Sequence, residues 1–255
     1  MENKNNEYTI MSFNLLSGES KPRGPYGSPY DRCDAVLKQI RDVKPDTLGV
    51  QECSTEWHYI LTQQLGDEYG IVGELTNYEK LIWRNAVLYR KDRFDLVETK
   101  TRWLTETPDV MSRTPYYYQY RVLTHARLRD KVTGREFVHA NTHMGFHNDE
   151  CPIHWGALVK LAKEFDVPLL ITGDMNQKAD SKWYAMMKEN GFVGAYELAP
   201  IHDDEASFWD ATGHIDHCFV TPDTVEPLVH DLLGEEVNGI RPSDHKALVV
   251  KYRLK

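Results

Sequence analysis

The chain has 255 residues, 41% hydrophobic and 27% charged, which is enough to bury a substantial core and excludes a disordered polypeptide. A net charge of −9, from 30 basic and 39 acidic residues, argues against a protein that grips long nucleic acid through its phosphates. Carboxylates that hold a cation would contribute to that charge, so a local basic groove is compatible with it.

The four cysteines (Cys33, Cys53, Cys151 and Cys218) contain no Cys-x-x-Cys pair. They are too sparse for a disulfide scaffold and form no zinc set, so reduced thiols in a cytoplasmic protein are expected. Met1 to Glu7 has no apolar signal-peptide core, and no apolar run approaches a membrane span. No linker, repeat or low-complexity segment divides the chain, which predicts a single domain over 1–255. No obligate protein partner is evident.

Tyr8 to Phe13 alternates and is predicted as the first strand, ending at Asn14. Gly18 to Pro29, with three Gly and three Pro, is predicted as a loop. Tyr30 to Val43 has a helical period, Thr47 to Val50 is a buried strand ending on Gln51-Glu52, and Thr55 to Leu65 is a second helix. Asn85–Tyr89, Phe94–Leu104, Tyr120–Arg129 and Arg135–Asn141 follow as strands, and Glu150–Phe165 as a helix. Val167–Thr172 is a strand, Ser181–Asn190 a helix stopped at Gly191, and His214–Val220, Glu226–Leu233 and Ala247–Tyr252 are the last strands. Strands with interspersed helices fit two packed, helix-flanked sheets better than one doubly wound sheet.

Strand after strand ends in a residue that can bind a metal or move a proton. These are Asn14, Glu52, His143, the pair Asp174 and Asn176 after the bend at Gly173, Asp216, and Asp244-His245 before the last strand. Singly, each has a turn or packing explanation. Together, through Ser12-Phe13-Asn14, Gly49-Val50-Gln51-Glu52, Asn141-Thr142-His143, Thr172-Gly173-Asp174-Met175-Asn176, Ile215-Asp216-His217 and Ser243-Asp244-His245, they resemble the endonuclease/exonuclease/phosphatase superfamily of divalent-metal phosphoesterases.

The resemblance implies a four-layer α/β sandwich, with two mixed β-sheets packed face to face and flanked by helices. It implies a Mg²⁺- or Mn²⁺-dependent hydrolase of P–O esters, with Glu52 as principal metal ligand and Asn14 and Asp244 nearby. His245 is then the general base or the phosphate-polarising group, held by Asp216. Asp174 and Asn176 orient the attacking water, and His143 donates to a non-bridging oxygen. Arg121 matches a phosphate-binding arginine, with Arg127 open to confusion with it, and Tyr89 is a further substrate-binding candidate. Leu16 stands where some members carry a second carboxylate, which weakens the case for a second metal. Trp83-Arg84-Asn85 stands where others have a glutamate partner for the middle histidine, leaving open how His143 is held.

The acidic balance favours a small phosphorylated molecule or short oligonucleotide as substrate, with a nuclease on DNA or RNA as the alternative. A catalytically silent scaffold is the rival from another class, and zinc on His139, His143 and His147 a distant third. Tyr116 to Tyr120, just before Arg121, is expected to pack at a sheet edge, with stacking at the cleft rim as the other reading.

Overall fold

The computed structural model describes residues 6–17, 26–79, 82–209 and 212–255. Among these, the strands form two sheets, of eight and six strands. The first has the order β11 (Ile201–His202), β13 (Val225–Leu233), β14 (Ala247–Leu254), β1 (Glu7–Asn14), β2 (Thr47–Cys53), β5 (Ile82–Arg90), β3 (Tyr69–Val72), with β4 (Leu75–Asn77) also on β5. The second has the order β10 (Val193–Gly194), β12 (Asp216–Val220), β9 (Leu169–Asp174), β8 (Glu136–His143), β7 (Val122–Asp130), β6 (Phe94–Trp103). Both are mixed: β1 runs parallel to β2 and antiparallel to β14, and β9 runs parallel to β8 and antiparallel to β12.

The period of two sorts apolar side chains between layers. Met11, Phe13, Leu48, Val50 and Val249 point outward from the first sheet against α1 (Pro29–Val43) and α2 (Thr55–Leu65). Their neighbours Tyr8, Ile10, Val87, Leu248 and Val250 point inward, against Ala126, Leu128, Phe137, Leu170 and Val220 of the second sheet. Val138, Ala140, Leu169 and Ile171 cover the far face beneath α3 (Cys151–Ala162) and α4 (Lys182–Glu189). The result is the four-layer α/β sandwich. Ser28 starts α1 with a reciprocal capping box to Asp31, while Ser54 and Ser181 cap α2 and α4.

Every strand and helix expected from the sequence is present, α2 over the expected residues and the others within a few residues of them. The predicted helix Glu150–Phe165 is shorter at both ends, Cys151–Ala162, and Gly191, with φ 91°, stands just after Asn190, the C-cap of α4. Of the loop 18–29, only 26–28 are described before α1 begins at Pro29, and 18–25 lie outside the described residues. The elements without a sequence expectation, β3, β4, β10, β11 and α5 (Ala195–Leu198), are all short.

Candidate active site

Along the buried faces, the inward rows change from apolar to polar in one direction. They read Tyr8, Ile10, Ser12, Asn14 on β1, Phe137, His139, Asn141, His143 on β8, and Leu170, Thr172, Asp174 on β9. At one end the rings of Tyr8, Phe94, Phe137 and Tyr252 pack at 5.4–6.3 Å between centroids. At the other the two sheets meet through hydrogen bonds. Asn141 Nδ2 donates to the carbonyls of Val50 (2.9 Å) and Ala86 (3.0 Å), and its Oδ1 accepts from Gln51 Nε2 (2.6 Å). The β2–β5 register shifts between Val50 and Cys53, where the ladder leaves carbonyls in need of donors. Gly49 is required there, because a Cβ would lie 2.6 Å from both Asn141 Oδ1 and Thr172 Oγ1.

That irregularity leaves Glu52 near the end of β2 with φ +52°, a left-handed conformation costly for a residue with a Cβ. Glu52 Oε2 accepts from Ser17 N (2.9 Å), and Asn14 Nδ2 donates to Glu52 Oε1 (3.4 Å) and Asp174 Oδ2 (3.1 Å). The loop after β1 is held from behind by buried Arg32, which donates to the carbonyls of Leu15 (2.7 Å), Leu16 (2.6 Å) and Pro242 (2.6 Å). Ser243 Oγ donates to Asn14 O at 2.6 Å, so the segments bearing Asn14 and Asp244 are fastened together.

Gly173, at φ 152°, bends β9 where a Cβ would strike Thr142 O at 2.0 Å. Asp174 follows, buried, accepting from Asn176 N at 2.9 Å and facing His143 Nε2 (3.3 Å) and His245 Nε2 (3.6 Å). Burial pushes the Asp174 carboxyl up to about 7, with the charge of His245 opposing and that of Asp216 reinforcing the rise. Asp216 Oδ2 accepts from His245 Nδ1 at 2.8 Å. For His245, burial acts downward as the largest single influence, but Asp216, Asp174 and Asp244 together raise it to about 10. These carboxylates favour the protonated ring of His245. His143 is the reverse case: burial first, then the Arg121 and His245 charges, hold it well below the usual histidine range. Its ring stacks on Trp83 at 6.5 Å with 5° between planes, so an aromatic face and Asp174 support it where a glutamate was lacking.

Asp244 is raised, first by burial and also by the nearby charge of Glu52, with His245 opposing. Arg121, just ahead of β7, is buried and lowered by desolvation, while Asp174, Glu52 and Glu150 act the other way. Its Nη2 donates to Gln119, its Nε has no hydrogen-bond partner among the described residues, and Leu104 N donates to its carbonyl at 2.8 Å. Arg127 instead pairs with Glu136 (2.7 Å) and Asp166 (3.0 Å), so Arg121 is the arginine beside the cluster. Asn176, with φ +52°, is pinned by its own N–H to Asp174 and by Nδ2 to Met144 O (2.9 Å).

Tyr89 does not join them. It pairs with Thr47 and Gly70 at the opposite end of β2 from Glu52, its ring lying over Gly70. The substrate-binding expectation for Tyr89 is thus corrected: it marks the strand, and its side chain belongs to the far end of that strand. The three histidines of the zinc alternative are also apart in role: His139 Nε2 bonds Thr172 Oγ1 (2.8 Å), His143 faces Asp174, and His147 packs tilted against Tyr117. Among the described residues, the one group of His, Cys, Asp or Glu close enough to share an ion is Asp174, Asp216 and His245. An ion in its midst would displace the 2.8 Å Asp216–His245 bond, whereas Glu52, Asn14 and Asp244 border it and leave that bond intact.

Residues 11–245 match the model of the Endonuclease/Exonuclease/phosphatase family. The chain belongs to this family. The endonuclease/exonuclease/phosphatase family protein of Bacteroides thetaiotaomicron is 25% identical, covers 98% of each chain and superposes with a TM-score of 0.88. That of Bacteroides vulgatus is 26% identical over 98% of this chain and 99% of its own, with a TM-score of 0.85. A mannosyl-6-phosphatase of Bacteroides thetaiotaomicron shares the fold at 24% identity, 97% and 99% coverage and a TM-score of 0.83. No curated protein matches the sequence significantly. Endonuclease/exonuclease/phosphatase members are hydrolases of phosphoester bonds, and the fold here is theirs.

Arg32, Trp83 and Asn141 also support this end of the sheets, with no role expected for them from the sequence. Asn141 carried a signal, since it lies in the inward row of β8 between His139 and His143. Arg32 and Trp83 carried none, because their partners lie far away in sequence.

Proposed function

We propose that this chain is a divalent-metal-dependent phosphoesterase, a single domain over 1–255, hydrolysing a P–O ester by in-line attack of water without a covalent enzyme intermediate. The observation that carries the reading is the convergence of Asn14, Glu52, Asp174, Asp216 and His245 at one end of both sheets, beside buried Arg121. The donor set fits Mg²⁺ or Mn²⁺. Glu52, Asn14 and Asp244 offer hard oxygens without a thiolate, and burial raises the Asp174 and Asp244 carboxyls, a penalty that a bound cation would relieve. Glu52, with Asn14 and Asp244, would hold the ion, which when bound neutralises charge on the phosphoryl oxygens and the leaving oxygen.

The chain's own groups do the rest. Asp174, near 7, takes a proton from the attacking water, which Asn176 orients. His245, kept protonated and aimed by Asp216, polarises the phosphoryl group through Nε2–H together with the Arg121 guanidinium. Neutral His143 shares its Nε2–H between Asp174 and a non-bridging oxygen. The net charge of −9 supports a small phosphorylated molecule or short oligonucleotide over long duplex DNA. All four cysteines are free and three are buried, which supports a reducing, cytoplasmic setting. No helix among the described residues is long and apolar enough to cross a membrane.

The test is hydrolysis of model phosphate monoesters and diesters, with Mg²⁺ and with EDTA. Turnover that vanishes with EDTA and falls about 10²–10⁴-fold in His245→Ala, at unchanged circular dichroism, is expected. Turnover that survives complete metal removal refutes the mechanism. Preferred cleavage of DNA or RNA would replace the substrate reading by a nuclease, and no turnover on any ester would leave a binding scaffold.

A further inference from the structure

Beside the phosphate pocket lies an aromatic cluster that the proposed chemistry does not use. Tyr117 packs against Tyr118 (4.4 Å between centroids), His147 (4.3 Å) and Phe146 (5.6 Å), and Phe146 packs against His147 (4.3 Å). The expectation that these tyrosines pack at a sheet edge fails for the outer members. Tyr118 is 63% exposed and Phe146 47% exposed, a contiguous apolar surface held open to solvent.

The cluster is anchored to the site on both sides. Phe146 stands two residues beyond Met144, whose N–H donates to Asp174 O (2.9 Å) and whose carbonyl accepts from Asn176 Nδ2 (2.9 Å). Two residues of chain span at most about 7 Å, so Phe146 cannot lie far from the Asp174–Asn176 segment that Met144 grips. The tyrosine segment is fixed from beneath: Arg113 Nη1 donates to Tyr117 O (2.9 Å), and Thr114 Oγ1 donates to buried Glu150 (3.0 Å). Arg121 follows four residues after Tyr117. The rings are thus preset at the pocket mouth, where stacking costs little side-chain ordering.

We propose that Tyr118 and Phe146, supported by Tyr117 and His147, form the subsite for the organic part of the substrate. That part presents a ring face, a nucleobase or a pyranose, linked to the phosphate ester. The inference rests on the phosphoesterase reading and adds what the substrate must carry beyond its phosphate.

The experiment compares a nucleoside 5′-monophosphate, a hexose 6-phosphate and glycerol phosphate, as substrates by kcat/KM and as ligands by calorimetry in Ca²⁺ without turnover. At least one ring-bearing ester is expected to bind and react better than glycerol phosphate. In Tyr118→Ala/Phe146→Ala that preference is expected to fall about tenfold or more, mainly through KM, while Phe146→Tyr retains it. The arm that loses its preference separates base from sugar. Binding of ring-bearing and ring-free esters with equal affinity by the unmodified protein, or a preference unchanged in the double variant, overturns the proposal even where turnover is normal. A ring preference in binding without turnover on any ester upholds the subsite and removes the phosphoesterase reading instead.

Discussion

Replacing Arg32 by Met removes the cation that gathers the loops behind the site. Its guanidinium is fully buried, lies over Trp57 at 5.1 Å, and satisfies three buried carbonyls at 2.6–2.7 Å. Burial lowers it to about 10, with Asp244, Glu52 and Asp31 opposing, so it stays charged at neutral pH. Each stranded carbonyl costs about 1–3 kcal/mol, partly offset because a buried charge no longer has to be desolvated, which leaves a net loss of about 3–5 kcal/mol. That is a large share of an ordinary domain's stability. In urea unfolding, the midpoint of Arg32→Met is expected to fall by about 1 M or more at unchanged slope. Arg32→Lys, a single ammonium that reaches fewer of the carbonyls, should lie between. The Mg²⁺ concentration for half-maximal binding should also rise, since Leu15, Leu16 and Pro242 neighbour Asn14, Ser17 and Asp244. A loss below about 1 kcal/mol, with Mg²⁺ binding untouched, would refute the account of Arg32 as the clasp of these loops.

Asp216→Asn takes away the strongest upward influence on His245, so the alkaline limb of the pH–kcat/KM profile should move toward neutrality; an unmoved limb would mean that His245 is not the group titrating there. Without metal, the site loses stability as pH rises. Asp174, raised from 3.8 to about 7, favours the folded state less as it ionises between those values, and His245, raised from 6.5 to about 10, loses its contribution across that higher window. Mg²⁺ should therefore raise the melting temperature more at pH 8 than at pH 5, and an equal or reversed gain in a thermal scan would count against the carboxylate ligands. Gly49→Ala drives a methyl to 2.6 Å from Asn141 Oδ1 and Thr172 Oγ1, so a loss of about 1–3 kcal/mol in chemical denaturation is expected, and a neutral result would show that the sheets separate there freely.

The two-sheet sandwich and most of the residues gathered at its polar end were legible in the linear chain. Alternation along Tyr8 to Asn14 or Leu169 to Asp174 states which side chains share a face, and the switch from apolar to polar along that face states which end of each strand is wet. Period-two alternation is a local property, so it survives in a linear reading. Short pieces such as Tyr69–Val72 and Ile201–His202 escaped because they exist as strands only through partners supplied by β5 and β13.

Which groups touch is set by the folded arrangement alone. Arg121 rather than Arg127 lies beside the carboxylates, Trp83 takes the supporting place behind His143, and Tyr89 falls at the wrong end of its strand. Charge states belong to the same class. Nothing in the letters distinguishes His143, lowered by burial and by the charges of Arg121 and His245, from His245, raised by carboxylates from other strands, because both sets of neighbours are brought in by the fold. A side chain's identity is written in the chain, but its pKa and its partners arise from distant neighbours, as between Ser243 and Asn14, 229 residues apart.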